Sequence, residues 1–280
     1  MYKRQAKGRA LPASPKAHSG IVSHEAKIGD VSIEIREDAN WRWLIFVNDH
    51  VEKTRGLMPI QSLFYKLEPS RLIPAYMQVM CAGVALSSSK TTLNKQILQL
   101  GLGGGAINRF LLDKLAVQHL TTVERHPELI DAYHHYFADG TSQLREVVIE
   151  ASAERFLDEQ KTHAYELILV DLFEHDGLPS YCYHPSFYRA LQQSLQHNGV
   201  VAINIPFRAD ENLTKLFISL RTYFQHVSFV DIPDHENIVV FASAQSIEID
   251  KNELAEIDKH LDIDVLQYLE NMIVAPIAEL

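Results

Sequence analysis

Cysteine is nearly missing from this chain, with two among 280 residues, Cys81 and Cys182. They form no C-x-x-C pair, which excludes a disulfide framework and a thiolate metal knuckle. Both are expected as reduced thiols, in the core or near the surface, in a reducing compartment. Long apolar runs are missing too. None approaches the ~20 residues that span a bilayer, so no membrane partner is expected. Basic charge is in deficit: 26 Lys and Arg stand against 36 Asp and Glu, a net charge of −10. The basic cluster of Lys3, Arg4, Lys7, Arg9 and Lys16 is confined to the first 20 residues, so a phosphate-tracking role and a nucleic-acid partner are not expected. That opening has no apolar stretch behind it and does not fit a secretory signal. It reads as a disordered tail in preference to an organellar transit peptide, and the cytoplasm is the expected location. The G-x-S-x-G elbow and the G-x-x-x-x-G-K-[ST] loop are also absent. Of 14 histidines, His126, His134 and His135 fall on helix surfaces or ends without ligand company, and no metal is expected.

What is present suits a globular enzyme: 46% hydrophobic and 22% charged residues, in a length that fits one main domain with a small one. Val31, Ile33 and Ile35 alternate with polar neighbours, and residues 43–47 follow as a second apolar stretch ending at Asn48-Asp49. This predicts a small N-terminal hairpin or sheet. Residues 70–87 carry Leu72, Tyr76, Met80 and Val84 at helical spacing, and a polar link covers 87–90. From residue 96 strands and helices alternate. Strands are expected near 97–100, 120–123, 147–149, 167–170 and 200–204. Helices are expected after Gly105, from Pro127, from Ser152, over 185–197 and over 212–222. Asn198-Gly199 is read as the stop of the fourth of these helices. Such alternation requires a parallel sheet with helices on both faces. The last two strands, 226–232 and 237–243, are joined by only residues 233–236, too few for a crossover, so that pair must be antiparallel. The expected fold is a doubly wound, mostly parallel seven-stranded α/β sheet closed by an antiparallel hairpin. Acidic helices are expected over 247–280.

The densest chemical signal is Gly101-Leu102-Gly103-Gly104-Gly105-Ala106, between a strand and a helix. Glycines there let the backbone turn tightly and approach a nucleoside without a Cβ in the way. Glu124 ends the next strand ~20 residues on, the spacing at which a carboxylate accepts from ribose hydroxyls. Asp171 ends the fourth strand, at the sheet edge where open α/β sheets hold ligands. Residues 172–179 follow as a polar, turn-rich loop carrying Glu174 and Asp176. A carboxylate at Asp171 can orient an amine or take its proton. The structural alternative is a helix or turn cap for Asp171, and simple solvation for the two loop acids.

These segments, with 185–188, Gln61-Ser62, Tyr76 and 237–241, resemble the spermidine/spermine synthase superfamily, in its bacterial spermidine synthase-like branch. The likeness covers about residues 26–245. It implies the class I methyltransferase-like Rossmann fold, and S-adenosylmethionine or decarboxylated S-adenosylmethionine as co-substrate, without a metal. It also implies roles. Gln61 would meet the amino-acid-like tail of the nucleoside. Gly101, Gly103, Gly104 and Gly105 would form the loop beneath it. Glu124 would hold the ribose, and Ser152 and Ala153 would flank adenine. Asp171 matches the carboxylate that deprotonates the attacking amine, with Tyr76 and Glu174 on the acceptor side.

The chain also departs from that pattern. The family's loop aspartate is Gly104 here, its adenine-site aspartate is Ser152, and its Tyr-His-Glu run is Tyr76-Met77-Gln78. A diamine needs an anionic partner for each ammonium, so putrescine is expected to be a poor acceptor. The resulting reading is a transferase moving an aminopropyl or methyl group to an amine, with the nucleoside and that acceptor as small-molecule partners and a homodimer as candidate assembly. A small-molecule methyltransferase and a catalytically silent nucleoside binder are the alternatives. The expected organisation is a tail over 1–25, a small β domain with a connecting helix over 26–90, a nucleoside-binding domain over 91–246, and terminal helices over 247–280.

Overall fold

The computed structural model describes residues 10–47, 60–86, 94–138, 145–160, 163–174, 177–206, 211–232 and 237–274. The expected turn at Asn48-Asp49, the links 87–90 and 233–236, and loop residues His175 and Asp176 lie outside these.

Four antiparallel strands come first, in sequence order: β1 (Ile21–Ile28), β2 (Val31–Glu37), β3 (Trp41–Val47) and β4 (Ile60–Tyr65). Side chains alternate across a strand, and here both faces are used. Ile33, Ile35, Leu44 and Phe64 pack with Leu102, Leu129, Tyr133 and Phe137 of the following domain. Trp41, Trp43, Ile45 and Tyr65 form a second cluster with Leu11 and Ala17. Indole N–H groups fix that cover: Trp41 donates to the Ala13 carbonyl at 3.0 Å and Trp43 to that of Ala17 at 2.8 Å. The tail expected over 1–25 is therefore corrected for residues 11–25. Residues 11–17 shelter two tryptophans whose polar edges need buried partners, and Ile21 already opens β1.

The connecting helix is shorter than expected: α1 spans Ala75–Cys81 and tightens into a 3₁₀ turn over Ala82–Leu86. It starts only after Pro74, because a residue before proline is held extended. The main sheet holds parallel strands β5 (Gln96–Leu100), β6 (His119–Glu124), β7 (Glu146–Glu150), β8 (Tyr165–Val170) and β9 (Leu195–Pro206). The antiparallel strands are β10 (His226–Asp231), β11 (Asn237–Ser243) and β12 (Ile273–Val274). Their order is β12-β10-β11-β9-β8-β5-β6-β7. The seven expected strands and the antiparallel closing pair are present, and the two-residue β12 makes an eighth strand within the stretch read as helices.

Crossover helices are α2 (Ala106–Arg109, extended by a π turn over Phe110–Lys114), α3 (Pro127–Ala132), α4 (Ala153–Glu159), α5 (Pro185–Ser194) and α6 (Glu211–Tyr223). α5 stops before 197. Leu195 is extended at φ −76°, ψ 143°, and already belongs to β9. Asn198-Gly199 thus lies in an irregular stretch of strand, where the β8–β9 register shifts, and is no helix stop. A Cβ on Gly199 would come within 2.9 Å of the Tyr165 carbonyl oxygen, which explains the glycine. Terminal helices α7 (Lys251–Asp258) and α8 (Val265–Glu270) bring Leu254, Ile257, Val265 and Leu269 onto the core layer that holds α1. Cys81 and Cys182 are free and buried.

Candidate active site

Successive parallel strands end at one edge, and their last residues and following turns meet there. The turn after β5 is shaped by crowding as well as by flexibility. Gly101 (φ +92°), Gly103 (φ +53°) and Gly105 (φ +66°) have left-handed backbones, which favour glycine. A Cβ on Gly101 would lie 2.2 Å from the Asp171 carbonyl oxygen, so the glycine lets β5 and β8 end side by side. A Cβ on Gly105 would strike the Tyr133 ring at 2.1 Å. Tyr133 is itself held by a hydrogen bond from its hydroxyl to Glu146 at 2.9 Å.

Glu124 ends β6 and is 7% exposed. Its Oε2 accepts from the Leu102 amide at 3.1 Å and its Oε1 from the His126 amide at 3.0 Å. The side chain thus braces the glycine loop, a task that spacing alone does not reveal. Each oxygen keeps a lone pair for another donor. Ala151 donates to the Glu124 carbonyl at 3.0 Å, which sets Ser152 and Ala153 beside that acid. Ser152 is the N-cap of α4, its Oγ accepting from the Arg155 amide at 3.2 Å. Ala153 is buried in the core beside this sheet. Gln61 is partly exposed on β4, next to Ser62, which packs on the glycine loop.

Asp171 follows β8. Burial pushes its carboxyl above the ordinary value of 3.8, and a hydrogen bond from Asn204 opposes that shift. Asn204 Nδ2 donates to Asp171 Oδ1 at 2.8 Å, and Asn237 Nδ2 donates to Asn204 Oδ1 at 2.7 Å. Tyr76 and Cys81, both on α1, are kept neutral by burial and secondarily by the Asp171 charge, which raises both groups further. Tyr76 thus lies within reach of the Asp171 charge.

Glu174 is drawn the other way. Its carboxylate pairs with the Arg125 guanidinium, beside Glu124, and its backbone closes a tight turn with Gly177 through hydrogen bonds of 2.7 and 3.1 Å. An acid already matched by arginine offers little net attraction to a second cation. Gly104 is closed for a steric reason: a Cβ there would meet Ser62 Oγ at 2.5 Å and Ser62 Cβ at 2.7 Å. A loop aspartate is therefore incompatible with Ser62 as placed, and Gly104 and Ser62 form one packed unit. Arg125 and Asn204 were not singled out by sequence, and Ser62 and Asn237, quoted only within segments of likeness, were given no role. Asn204 carried a usable signal, since it ends a parallel strand next to the one that Asp171 ends. Among the described residues no group of three His, Cys, Asp or Glu is placed to hold a metal ion, and no helix is long and apolar enough to cross a membrane.

No family model matches the chain. It is 25% identical over 222 residues to the polyamine aminopropyltransferase of Neisseria meningitidis, covering 79% of each chain. It superposes with a TM-score of 0.70 on a spermidine synthase solved with the transition-state analogue AdoDATO, covering 91% of this chain and 85% of that one at 16% identity. These likenesses show that the chain shares the fold of spermidine synthases. A further relative is the eEF1A lysine and N-terminal methyltransferase of Xenopus laevis, 22% identical over 305 residues, spanning 90% of this chain but 43% of that protein. The sheet order fits that placement, and so does the small antiparallel N-terminal sheet.

Proposed function

We propose that this spermidine synthase-like enzyme binds a sulfonium nucleoside, decarboxylated S-adenosylmethionine or S-adenosylmethionine, and transfers an aminopropyl group from it to an amine. The observation that carries the reading is the meeting of three features at one sheet edge. The glycine loop lies against the Asp171 backbone, Glu124 holds the Leu102 amide of that loop, and Asn204 holds the Asp171 carboxylate. In this reading Glu124 accepts from the ribose with its remaining lone pairs, and Ser152 and Ala153 border the base. Gln61 borders the tail. Gly103, where a Cβ would meet nothing within 4 Å, borders open space that a nucleoside can take.

The sulfonium supplies a good leaving group. The acceptor nitrogen bonds to the carbon next to sulfur, the carbon–sulfur pair returns to sulfur as a thioether, and the nitrogen's proton passes to Asp171. The chain contributes alignment and a carboxylate of raised pKa, better matched to that proton than an exposed aspartate. Tyr76, neutral and half-buried, forms a wall of the acceptor side. The closure of Gly104 by Ser62 and the pairing of Glu174 with Arg125 leave that side poor in free carboxylate, which disfavours a diamine and supports an acceptor with one cationic end. The same observation gives methyl transfer its standing as the second reading, in line with the methyltransferase relative.

The deciding experiment is a thermal-shift screen with both sulfonium nucleosides, methylthioadenosine and NAD, followed by product analysis with a panel of amines. Stabilisation of about 2.7 kcal/mol is expected at ~100 times the dissociation constant of a true ligand. Methylthioadenosine as product supports aminopropyl transfer, and S-adenosylhomocysteine supports methyl transfer. Stabilisation by NAD alone overturns both.

A further inference from the structure

Asp171, Asn204 and Asn237 lie at the ends of β8, β9 and β11, adjacent strands of the main sheet. Their hydrogen bonds run one way: Asn237 donates to Asn204 at 2.7 Å, and Asn204 donates to Asp171 Oδ1 at 2.8 Å. With Asp171 ionised, one orientation of the Asn204 amide satisfies both contacts. Turned over, its oxygen would face the carboxylate and its NH₂ would face the NH₂ of Asn237. Asn204 is 5% exposed, so bulk water does not replace its donor. Among the described residues Asp171 Oδ2 has no protein partner, which makes it the oxygen left for a ligand. The titratable groups within reach of the Asp171 charge are Tyr76 and Cys81 of α1, both neutral through burial. β9 and β11 present amides, and the glycine loop presents backbone.

We propose that Asn204, braced by Asn237, is the positioning residue of this site: it ties Asp171 Oδ1 to the sheet, aims Oδ2 into the cleft and holds the carboxylate in its charged form. The inference rests on the reading of Asp171 as the group that handles the acceptor's proton, and it adds what keeps that group usable. Burial alone favours a neutral carboxyl, which could not take a proton. One charge-assisted hydrogen bond from a fixed amide works against burial without a neighbouring cation that would repel an amine.

The test is a carboxyl titration of Asp171 by carbon-13 NMR on the full chain, the signal being identified by its loss in Asp171→Asn. In Asn204→Leu the midpoint should rise by about one to two pH units, the worth of a hydrogen bond to a charged group. In Asn237→Leu, which leaves Asn204 free to turn over, a smaller rise of the same sign is expected. Methylthioadenosine affinity should stay the same in both, since neither amide contacts the loop or Glu124. The acidic limb of the transfer rate should move upward with the carboxyl, with turnover recovering at higher pH. An unmoved Asp171 midpoint in a cooperatively melting Asn204→Leu protein overturns the proposal. If that variant fails to fold, an unmoved midpoint in Asn237→Leu does the same. Lack of turnover with every amine would sink the functional reading, while the titration would still decide the role of Asn204.

Discussion

Replacing Glu124 by glutamine separates the loop bracing that the structure shows from the proposed ribose contact. The carboxylate accepts two backbone hydrogen bonds, from Leu102 at 3.1 Å and His126 at 3.0 Å, while 7% exposed. A glutamine can keep one of them through its carbonyl oxygen. Its NH₂ then points at the other backbone N–H, donor against donor, and that amide loses a partner. A buried unsatisfied donor costs ~1–3 kcal/mol, and the retained bond also loses its charge assistance. A net destabilisation of about 2 kcal/mol is expected for the unliganded protein, equivalent to a fall of roughly 4–8 °C in melting temperature for a chain of this size. Nucleoside binding should weaken further, because the loop loses its brace and the ribose loses a charged acceptor. A hydrogen bond to a charged group is worth ~1.5–3 kcal/mol, a loss of about 10- to 150-fold in affinity. Scanning calorimetry without ligand measures the first effect, and titration calorimetry with methylthioadenosine the second. A lowered melting temperature with unchanged affinity would make Glu124 a loop brace alone. No change in either would refute the whole argument about this residue.

Further outcomes follow from packing and charge. Gly104→Asp should destabilise and fail to improve amine binding, because its Cβ meets Ser62 at 2.5 Å. The double variant with Ser62→Gly should regain much of the lost stability, and a melting curve no better than that of Gly104→Asp would show that Ser62 is not the obstacle. Gly101→Ala should yield little folded protein, given a contact of 2.2 Å at φ +92°, and a normal melt would contradict the described approach of β5 to β8. Asp171→Asn should raise the melting temperature at pH 7 while abolishing turnover by ~10²–10⁴-fold. Its folded pKa lies above the unfolded value near 3.8, so its favourable share of stability is complete below that value and is lost as pH rises through the folded pKa. The stabilising effect of the substitution should therefore vanish below about pH 4, and an equal gain at all pH values would show that Asp171 titrates normally.

What the sequence determined on its own is the local grammar of the sheet and the carboxylates that end its strands. The order of strands and helices follows from hydrophobic period and turn residues, and the short 233–236 link forces an antiparallel closing pair. Gly101–Gly105, Glu124 and Asp171 could be read because each sits at a strand end, and strand ends converge in any doubly wound sheet. Tertiary structure alone decided which of these groups are free. Glu174 is matched by Arg125, 49 residues away, and Asp171 by Asn204, 33 residues away. Ser62 of the small sheet closes the space at Gly104. Segment boundaries went the same way. Leu195 left its helix to pair with Tyr165 in β8, and residues 11–17 became a cover for Trp41 and Trp43, outcomes set by neighbours distant in the chain. Local pattern records what a residue can do. Its availability depends on which partner the fold puts beside it, and that information lies in no single window of sequence.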